Sequence, residues 1–536
     1  MSKERLYLFD TTLRDGAQTH GVDFSIEDKI LISKTLDDLG IDYIEGGYPG
    51  ANPIDTSFFS RDHNYNHSTL TAFGMTKRAG RSIENDPSFQ AVLNSNVTSV
   101  CLVAKSWDFH VRVALGISNE ENLTAISDSV STILSNSQKA IIDCEHFFDG
   151  YKANPDYALS CAKAAYDAGA QWVVLCDTNG GTLPHEISEI VSQVIKHIPG
   201  DHLGIHTHND TENAVANSLH AVLAGVRHIQ GTLNGLGERC GNANLTSIIP
   251  TLMLKSKFAD HFETAVTPDK LRLLTHASRV LDETLNRAPN RHAAYVGEAA
   301  FAHKGGIHVS AVMKNPETYE HISPECVGNK RKLVVSDQAG RSNIVAELDR
   351  VGIQTEADDE RVVTLLEEVK RREATGYSYE AADASFELLA RRTLHTVPQY
   401  FDVDSFRVMV ERRHNALGEL ITVSEANVKV HVQDDVVMSW GEGNGPINAL
   451  DQALRKDLGI YQSYIDDLEL VDYKVRILTG GTDAVTRVLV ESRDGQGRRW
   501  VTVGVSPNIV DASFEALLDS INYKLIRDSA PAPRTH

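Results

Sequence analysis

Two patterns of apolar and polar positions alternate along the first half of the chain. Short β-type runs are each followed by a longer amphipathic segment, and eight such pairs lie between residue 6 and about residue 255. The predicted strands are LYLFDTT, YIEGG, TLTAFG, SVCLVAKS, AIIDCEH, WVVLCDTNGG, LGIHTHND and HIQGTLNGLG. The helix after the second strand, following PGANP, has the weakest pattern. Eight βα units in about 250 residues predict an α/β fold with a closed (β/α)₈ TIM barrel, and an open doubly wound sheet is the alternative.

The remaining sequence changes character twice. Residues 1–265 are assigned to the barrel domain, and residues 266–395 to a mostly helical region that contains the Gly- and His-rich run FAHKGGIHVSAV. Over residues 396–530 β-type runs return, with hairpin signals such as DGQG and two helices. Three domains are therefore predicted: a barrel, a helical linker region and a C-terminal α+β domain.

The C-terminal region repeats itself. MSWG at 438–441 and VTVG at 501–504 lie 63 residues apart, and NALDQAL and DASFEAL keep the same offset. We interpret this as a duplicated β-β-α-type unit. Chance similarity between two short amphipathic helices is the alternative.

Composition narrows the range of functions. The chain has 73 Asp and Glu against 52 Lys and Arg, a net charge of −21, which argues against nucleic-acid binding and requires any anionic substrate to meet a local cluster of donors. Six cysteines are scattered without a CxxC pair, as in a reducing compartment. The first residues leave no room for an apolar signal segment, and no run of about twenty apolar residues predicts a membrane span. A cytoplasmic protein is expected.

Polar side chains collect where the predicted strands end. In a TIM barrel the C-terminal ends of the strands surround one opening, which carries the active site. Polar side chains lie at the ends of six of the eight strands. Arg14 and Asp15 follow strand one, Glu45 ends strand two, Glu145 and His146 end strand five, Asp177 and Thr178 end strand six, HTHND ends strand seven, and GLGERCGNAN comes after strand eight. The sequence therefore predicts a reactive site on this rim, and scattered loop polarity is the alternative.

The run GIHTHND suggests a metal site. Side chains on a strand alternate between faces, so His206 and His208 point the same way and can reach one ion. Asp15, on a strand that lies near strand seven in a closed barrel, adds a carboxylate, and Asn242 can add an amide oxygen. Two imidazoles, a carboxylate and an amide, with positions left open, suit a catalytic Mg²⁺, Mn²⁺ or Zn²⁺ ion.

Arg14 beside such an ion suggests chemistry on a 2-oxo acid. The acid could chelate the ion through its carboxylate and keto oxygens, and Arg14 would stabilise negative charge that develops on the keto oxygen. Thr178 could hold the substrate carboxylate. The alternative for Arg14 is a structural ion pair with Asp15 or Glu45.

Four ordered motifs, DTTLRDGAQ, CDTNGG, HTHND and GLGERCGN, together resemble the metal-dependent acyltransferase family of 2-isopropylmalate, homocitrate and citramalate synthases. AHKGGIH followed by KNPETYE is similar to the family's lid subdomain, and the duplicated tail is similar to its regulatory domain. The resemblance implies condensation of acetyl-CoA with a 2-oxo acid. The deprotonated acetyl methyl attacks the keto carbon, and the thioester is then hydrolysed.

Matching the motifs position by position assigns roles at the metal. The resemblance makes Asp15, His206 and His208 the metal ligands, with Asn242 as a nearby or occasional fourth ligand. Arg14 matches the arginine that faces the keto oxygen.

Further matches concern the substrate and proton transfer. Thr178 matches the threonine that holds the substrate carboxylate, and Glu145 the active-site carboxylate after strand five. His308 and Tyr319 match the lid pair that assists proton transfer, which in the family reaches into the neighbouring subunit's barrel.

Departures from the isopropylmalate pattern bear on the acyl acceptor. Four sequence segments resemble the citramalate branch of the family, which uses pyruvate: DGAQ, GGYPGANP, SDQAGRSN and EHFFDGYKANP. The resemblance further implies a homodimer with isoleucine as allosteric effector. Three alternatives remain: a 2-isopropylmalate synthase acting on 2-oxoisovalerate, an acyl-CoA lyase of the same superfamily, and a sensor with an inactive barrel. Lyases carry a Gly-Cys-Pro turn after strand eight, where this chain reads GERCG.

Overall fold

The computed structural model describes residues 3–333, 340–355, 359–379, 382–394, 397–414, 416–480 and 484–533. The chain forms two compact units, one of Met1–Phe301 with Ile322–Arg331 and the other of Ala302–His321 with Lys332–His536. This division in two does not test the three domains predicted above, whose boundaries at residues 265 and 395 stay predictions.

A closed barrel of eight parallel strands forms the first unit. In chain order the strands are β1 Tyr7–Asp10, β2 Tyr43–Gly47, β3 Thr69–Met75, β4 Ser99–Lys105, β5 Lys139–Glu145, β6 Trp172–Asp177, β7 Leu203–Thr207 and β8 His228–Gly231. Tyr7 of β1 lies opposite His228 of β8, so the sheet closes on itself without a free edge. The predicted barrel is confirmed and the open sheet is excluded.

One main helix follows each strand. These helices are α1 Ile26–Leu39, α2 Pro53–Phe59, α3 Pro87–Leu93, α4 Asn119–Ser135, α5 Pro155–Asp167, α6 Pro184–Val194, α7 Ala214–Ala224 and α8 Leu245–Leu254. The weakly patterned α2 is only seven residues long, but Pro53 begins it and the Asn52 side chain accepts a hydrogen bond from the Asp55 amide at 2.7 Å. Extra helical turns precede α4 and α5 at Asp108–His110, Val111–Leu115 and Phe147–Ala153.

Aromatic rings fill the barrel at the N-terminal end of its strands. The His228 ring is fully buried and lies 5.0 Å from the Trp172 ring, 5.2 Å from Phe9 and 5.7 Å from Tyr43. Burial lowers the pKa of His228 to about 3, so this imidazole is neutral and acts as a packing group. These rings fill the N-terminal end of the barrel, so the polar residues lie around the opening at its C-terminal end.

Lys29 of α1 anchors the loop after β1. Its buried ammonium donates to the carbonyls of Leu13 and Gly46, both at 2.9 Å, and pairs with the Asp55 carboxylate. Asp55 also accepts from the amide of Tyr48 at 2.8 Å. A buried charge is stable only when it is paired and hydrogen-bonded, so this cluster ties α1, α2 and the loops after β1 and β2 together.

Three further helices complete the first unit at Ser256–Ala259, Pro268–Leu271 and Leu274–Thr284 (α9). The short strands Glu4–Arg5 and Phe262–Glu263 pair outside the barrel. In the second unit, helices α10 Gly306–Lys314, α11 Arg341–Arg350, α12 Glu360–Ala374 and α13 Asp383–Thr393 precede the C-terminal region, and the strands Ala302–His303 and Lys332–Leu333 pair with each other.

The C-terminal region contains two similar antiparallel units. The first is β9 Asp402–His414, β10 Leu420–Val432, β11 Asp435–Gly443 and α14 Pro446–Lys456, and the second is β12 Glu469–Ile477, β13 Thr486–Arg493, β14 Arg499–Ser506 and α15 Ile509–Arg527. The helices α14 and α15 begin 63 residues apart, as the repeat predicts. Each unit has three strands before its helix, however, where the sequence indicated two. The additional strands β9 and β12 are mostly exposed, although β12 alternates apolar and polar residues from Val471 to Ile477.

None of the described helices combines the length and the apolar character needed to cross a membrane.

Candidate active site

Three predicted ligands meet at the C-terminal rim of the barrel. His206 lies in β7, His208 just beyond it and Asp15 in the loop after β1, and all three are at least 94% buried. The Nε2 atoms of the two histidines are 3.2 Å apart, and Asp15 Oδ2 lies 3.3 Å from His206 Nε2 and 3.9 Å from His208 Nε2. The structure thus brings the predicted Asp-His-His set together.

Asn242 borders the same cluster. Its Nδ2 atom lies 2.6 Å from Asp15 Oδ2 and 3.4 Å from His206 Nε2, while its buried Oδ1 has no hydrogen-bond partner among the described groups. A Cβ atom at Gly237 would lie 1.9 Å from Asn242 Oδ1, so only glycine leaves room for this amide. If the side-chain amide of Asn242 rotates, its Oδ1 atom points toward the cluster.

Electrostatic coupling sets the pKa values of the cluster. Burial raises the pKa of Asp15, but the charge of Arg14 and the hydrogen bond with His206 outweigh it and hold the pKa far below its usual range. Burial lowers the pKa of His206, and the Asp15 hydrogen bond and charge raise it above its ordinary value. Burial and the neighbouring His206 lower the pKa of His208 to about 3. An ionised carboxylate and a neutral imidazole are the forms that bind a metal.

The donor set fits a divalent cation. Two imidazole nitrogens and a carboxylate oxygen point their lone pairs into one small space, where they repel each other unless a cation or protons lie between them. Asp15, His206 and His208 each offer one ligand atom, and these atoms lie within 4.8 Å of one another. With Asn242 alongside, these residues could hold a divalent ion and leave positions open for a substrate.

Arg14 lies next to this cluster. Its Nε donates to Glu45 Oε2 at 2.7 Å, its Nη1 lies 3.3 Å from Asp15 Oδ1, and its guanidinium carbon is 4.0 Å from the centre of the Phe73 ring. Both ion-pair partners suggested by the sequence are present. These pairs orient the guanidinium beside the ligand cluster, so the structural and the substrate-facing interpretations of Arg14 are compatible.

A second polar group lies at the ends of β4, β5 and β6. Glu145 forms an ion pair with Lys105, and the His110 and His146 rings beside it are 4.2 Å apart. Thr178 accepts a hydrogen bond on Oγ1 from the His146 backbone amide at 2.9 Å. The predicted residues Glu145 and Thr178 are therefore linked through one histidine.

The predicted lid residues belong to the second unit. The rings of His308 and Tyr319 are 4.3 Å apart, and Tyr319 is 46% exposed. The two residues expected to act together thus contact each other, but their assigned role stays a prediction.

Three buried or ion-paired side chains near the site were not predicted from the sequence. Gln230 of β8 and Asp143 of β5 are buried beneath the ligand cluster, and Gln230 bridges Asp143 and His206. Strand alternation offered the only signal, because Gln230 lies two residues after the inward-facing His228 and Asp143 two before Glu145. Lys105, the partner of Glu145, was also missed, since the contact depends on the register between β4 and β5.

A cavity of about 360 Å³ opens beside the ends of β3 and β4. Its lining combines apolar side chains, among them Phe89 and Val103, with the cations Lys77, Arg78 and Lys105. Lys77 pairs with Asp128 and Lys105 with Glu145, and Asp86 also lines the cavity, so cationic and anionic groups are mixed there.

Comparison with known proteins agrees with this geometry. Residues 5–276 match the HMGL-like family, residues 295–376 the homocitrate synthase post-HMGL domain-like family, and residues 380–525 the LeuA allosteric (dimerisation) domain. The (R)-citramalate synthase of Aquifex aeolicus is 50% identical over 98% of both chains, and that of Geobacter sulfurreducens is 51% identical over 97% of both. The chain belongs to the citramalate synthase family.

Membership in this family makes the chain an enzyme, a condensing acyltransferase that uses an acyl-CoA. A 2-isopropylmalate synthase of Methanocaldococcus jannaschii is 31% identical over 97% of this chain and 94% of its own length. The dimerisation domain indicates an oligomer. The resemblance stated from four motifs is thereby confirmed, and the C-terminal α+β domain is assigned to a family.

We expect Glu45 to titrate near neutral pH. Burial raises the pKa of its carboxyl to about 7 from an ordinary 4.5, although Arg14 lowers it. The folded state then retains a proton that the unfolded chain has lost, so the free energy of unfolding contributed by Glu45 falls as the pH rises from 4.5 to about 7. An infrared titration of the wild type minus Glu45→Gln should show the carboxyl band disappearing with a midpoint near pH 7. A midpoint close to 4.5 would contradict the assignment.

Proposed function

We propose that this enzyme condenses acetyl-CoA with pyruvate to give (R)-citramalate and CoA, as a cytoplasmic, metal-dependent homodimer in isoleucine biosynthesis. The observation that carries the proposal is the convergence of Asp15, His206 and His208 beside Arg14 on one barrel rim. The family relationship to named (R)-citramalate synthases supports the choice of substrates.

The proposed ligands of the divalent ion are Asp15, His206 and His208, with Asn242 as a fourth. A bound divalent ion would polarise the keto group of a chelated 2-oxo acid. The donor set favours Mg²⁺, Mn²⁺ or Zn²⁺, since it mixes imidazole nitrogen with carboxylate oxygen.

The surrounding side chains then orient and polarise the substrate. Arg14 faces the keto oxygen and stabilises the negative charge that develops when carbon attacks. The Thr178 hydroxyl holds the substrate carboxylate, and Glu145 orients the reacting groups at the end of β5. His308 and Tyr319 assist proton transfer, as the matching lid pair does in the family. The new alkoxide is protonated, and water then cleaves the thioester to release CoA.

The cavity beside β3 and β4 supports an acyl-CoA substrate. The apolar lining suits an alkyl chain, and Lys77, Arg78 and Lys105 could contact phosphate groups, although Lys77 and Lys105 are paired with Asp128 and Glu145. Because Lys105 pairs with Glu145, we propose that the thioester end of the substrate lies on that side of the cavity.

The C-terminal domain supports regulation by isoleucine. It matches an allosteric dimerisation family, and isoleucine is the product expected downstream of citramalate. Inhibition requires that isoleucine bind one state of the dimer better than another.

Turnover on different 2-oxo acids tests the substrate. Thiol release from acetyl-CoA should be fastest with pyruvate, slower with 2-oxobutanoate and slowest with 2-oxoisovalerate, because pyruvate is the proposed acceptor and the other two carry progressively larger side chains. Preference for 2-oxoisovalerate would indicate a 2-isopropylmalate synthase, and no release with any acceptor would indicate a sensor. Cys240→Ser should retain activity, since a lyase-type catalytic thiol is not part of this proposal.

Removal of the metal ligands tests the metal site. We expect Asp15→Ala and His206→Ala each to lose Mn²⁺ binding in calorimetry and to lower kcat by at least about 100-fold, the scale set by removal of one group that stabilises developing charge. His185→Ala, an exposed histidine on α6, serves as the control and should match the wild type. Full turnover of the wild type in excess chelator would refute metal dependence.

Effector binding is tested on the full-length chain. Isoleucine should slow thiol release and bind in calorimetry, whereas valine at the same concentration should do neither. Inhibition by leucine instead of isoleucine would contradict the pathway assignment.

A further inference from the structure

Beneath the rim, a buried side-chain amide joins three barrel strands. Gln230 of β8 is completely buried, and its Nε2 donates to Asp143 Oδ1 of β5 at 2.9 Å. Its Oε1 lies 2.8 Å from His206 Nδ1 of β7. The amide thus contacts the ring nitrogen of His206 that faces away from Asp15 and His208.

Asp143 sets which way this amide points. Gln230 Nε2 lies 2.9 Å from Asp143 Oδ1, and Cys101 Sγ, a weak donor, lies in the same cluster. Against the ionised carboxylate, an amide turned the other way would place Oε1 on an oxygen that repels it. The NH₂ group therefore faces Asp143, and the carbonyl oxygen is left for His206.

That orientation decides which nitrogen of His206 carries the proton. Gln230 Oε1 can only accept, so the contact at 2.8 Å requires a hydrogen on His206 Nδ1. Neutral His206 then presents a bare Nε2 to Asp15 and His208. The competing tautomer carries its proton on Nε2 and donates to Asp15, whose Oδ2 is 3.3 Å away, and it cannot bind a metal through that nitrogen.

His208, the second histidine of the pair, has no such hydrogen bond to its outer ring nitrogen among the described residues. His208 Nδ1 is buried without a hydrogen-bond partner among the described residues. The two histidines are therefore not equivalent, although the sequence motif presents them as a symmetrical pair.

We propose that Gln230, oriented by Asp143, is a positioning residue that locks His206 in the tautomer with a free Nε2 and so prepares the barrel rim to bind its divalent cation. The inference rests on the metal site of the proposed function. Hydrogen bonds to the outer nitrogen of a metal-binding histidine fix its tautomer and ring orientation, and their loss costs on the order of 10- to 100-fold in metal affinity.

Mn²⁺ calorimetry on the metal-free full-length protein tests the proposed role of Gln230. Gln230→Met keeps the side-chain length but cannot accept a hydrogen bond, so Mn²⁺ should bind about 10- to 100-fold more weakly. The double variant Gln230→Glu with Asp143→Asn keeps an acceptor for His206 and lets the new amide donate to the introduced carboxylate, so it should recover most of that loss. The matched control is Gln138→Met, a buried glutamine whose Nε2 donates to Val97 O at 2.9 Å, and it should bind Mn²⁺ like the wild type.

Nitrogen-15 NMR of the metal-free protein gives a second readout, with the His206 signals assigned by their absence in His206→Ala. Neutral His206 should be protonated at Nδ1 in the wild type and at Nε2 in Gln230→Met. At a pH where His206 is neutral, a proton on Nε2 in the wild type would overturn the proposed role of Gln230 alone, as would equal Mn²⁺ affinity in wild type and Gln230→Met. A wild type that binds no Mn²⁺ would overturn the metal site of the proposed function as well.

Discussion

The convergence of two imidazoles and a carboxylate at the barrel mouth is the constraint around which the first unit is organised. Asp15, His206 and His208 come from opposite ends of the barrel sequence, and they meet because β1 and β7 both pair with β8 in the closed sheet. Three sets of lone pairs held this close are unfavourable without a cation or protons. A rigid scaffold must therefore hold them, and the packed aromatic floor and the buried ion pair of Lys29 contribute to that rigidity.

A layer of buried polar groups lies behind the rim. Each group has few possible hydrogen-bond partners other than the one observed. Glu45 orients Arg14, and Gln230 connects His206 to Asp143. Each of these groups would be costly to bury alone, so the network stabilises one arrangement of the ligands and excludes others. The rim is thus organised before any ligand arrives, which lowers the free energy needed to order it on binding.

The C-terminal region follows a simpler rule. In each unit a three-stranded sheet buries one face against a helix, and the inward positions of the central strand alternate, as Val428 and Val430 do in β10 and Val488 and Val490 do in β13. The repeat was visible in the sequence because the last strand and the helix of each unit keep the same 63-residue offset. The first strands, β9 and β12, contribute less to the core because most of their side chains are exposed.

The sequence by itself determined the number and order of the barrel strands, the shared face of His206 and His208, and the family. These properties follow from local periodicity and from motifs contiguous in the chain. Tertiary structure alone decided the pairing of Glu145 with Lys105 and of His206 with Gln230. Such contacts depend on the register between neighbouring strands and on the closure of the barrel, and a one-residue change in register would turn the same side chains away.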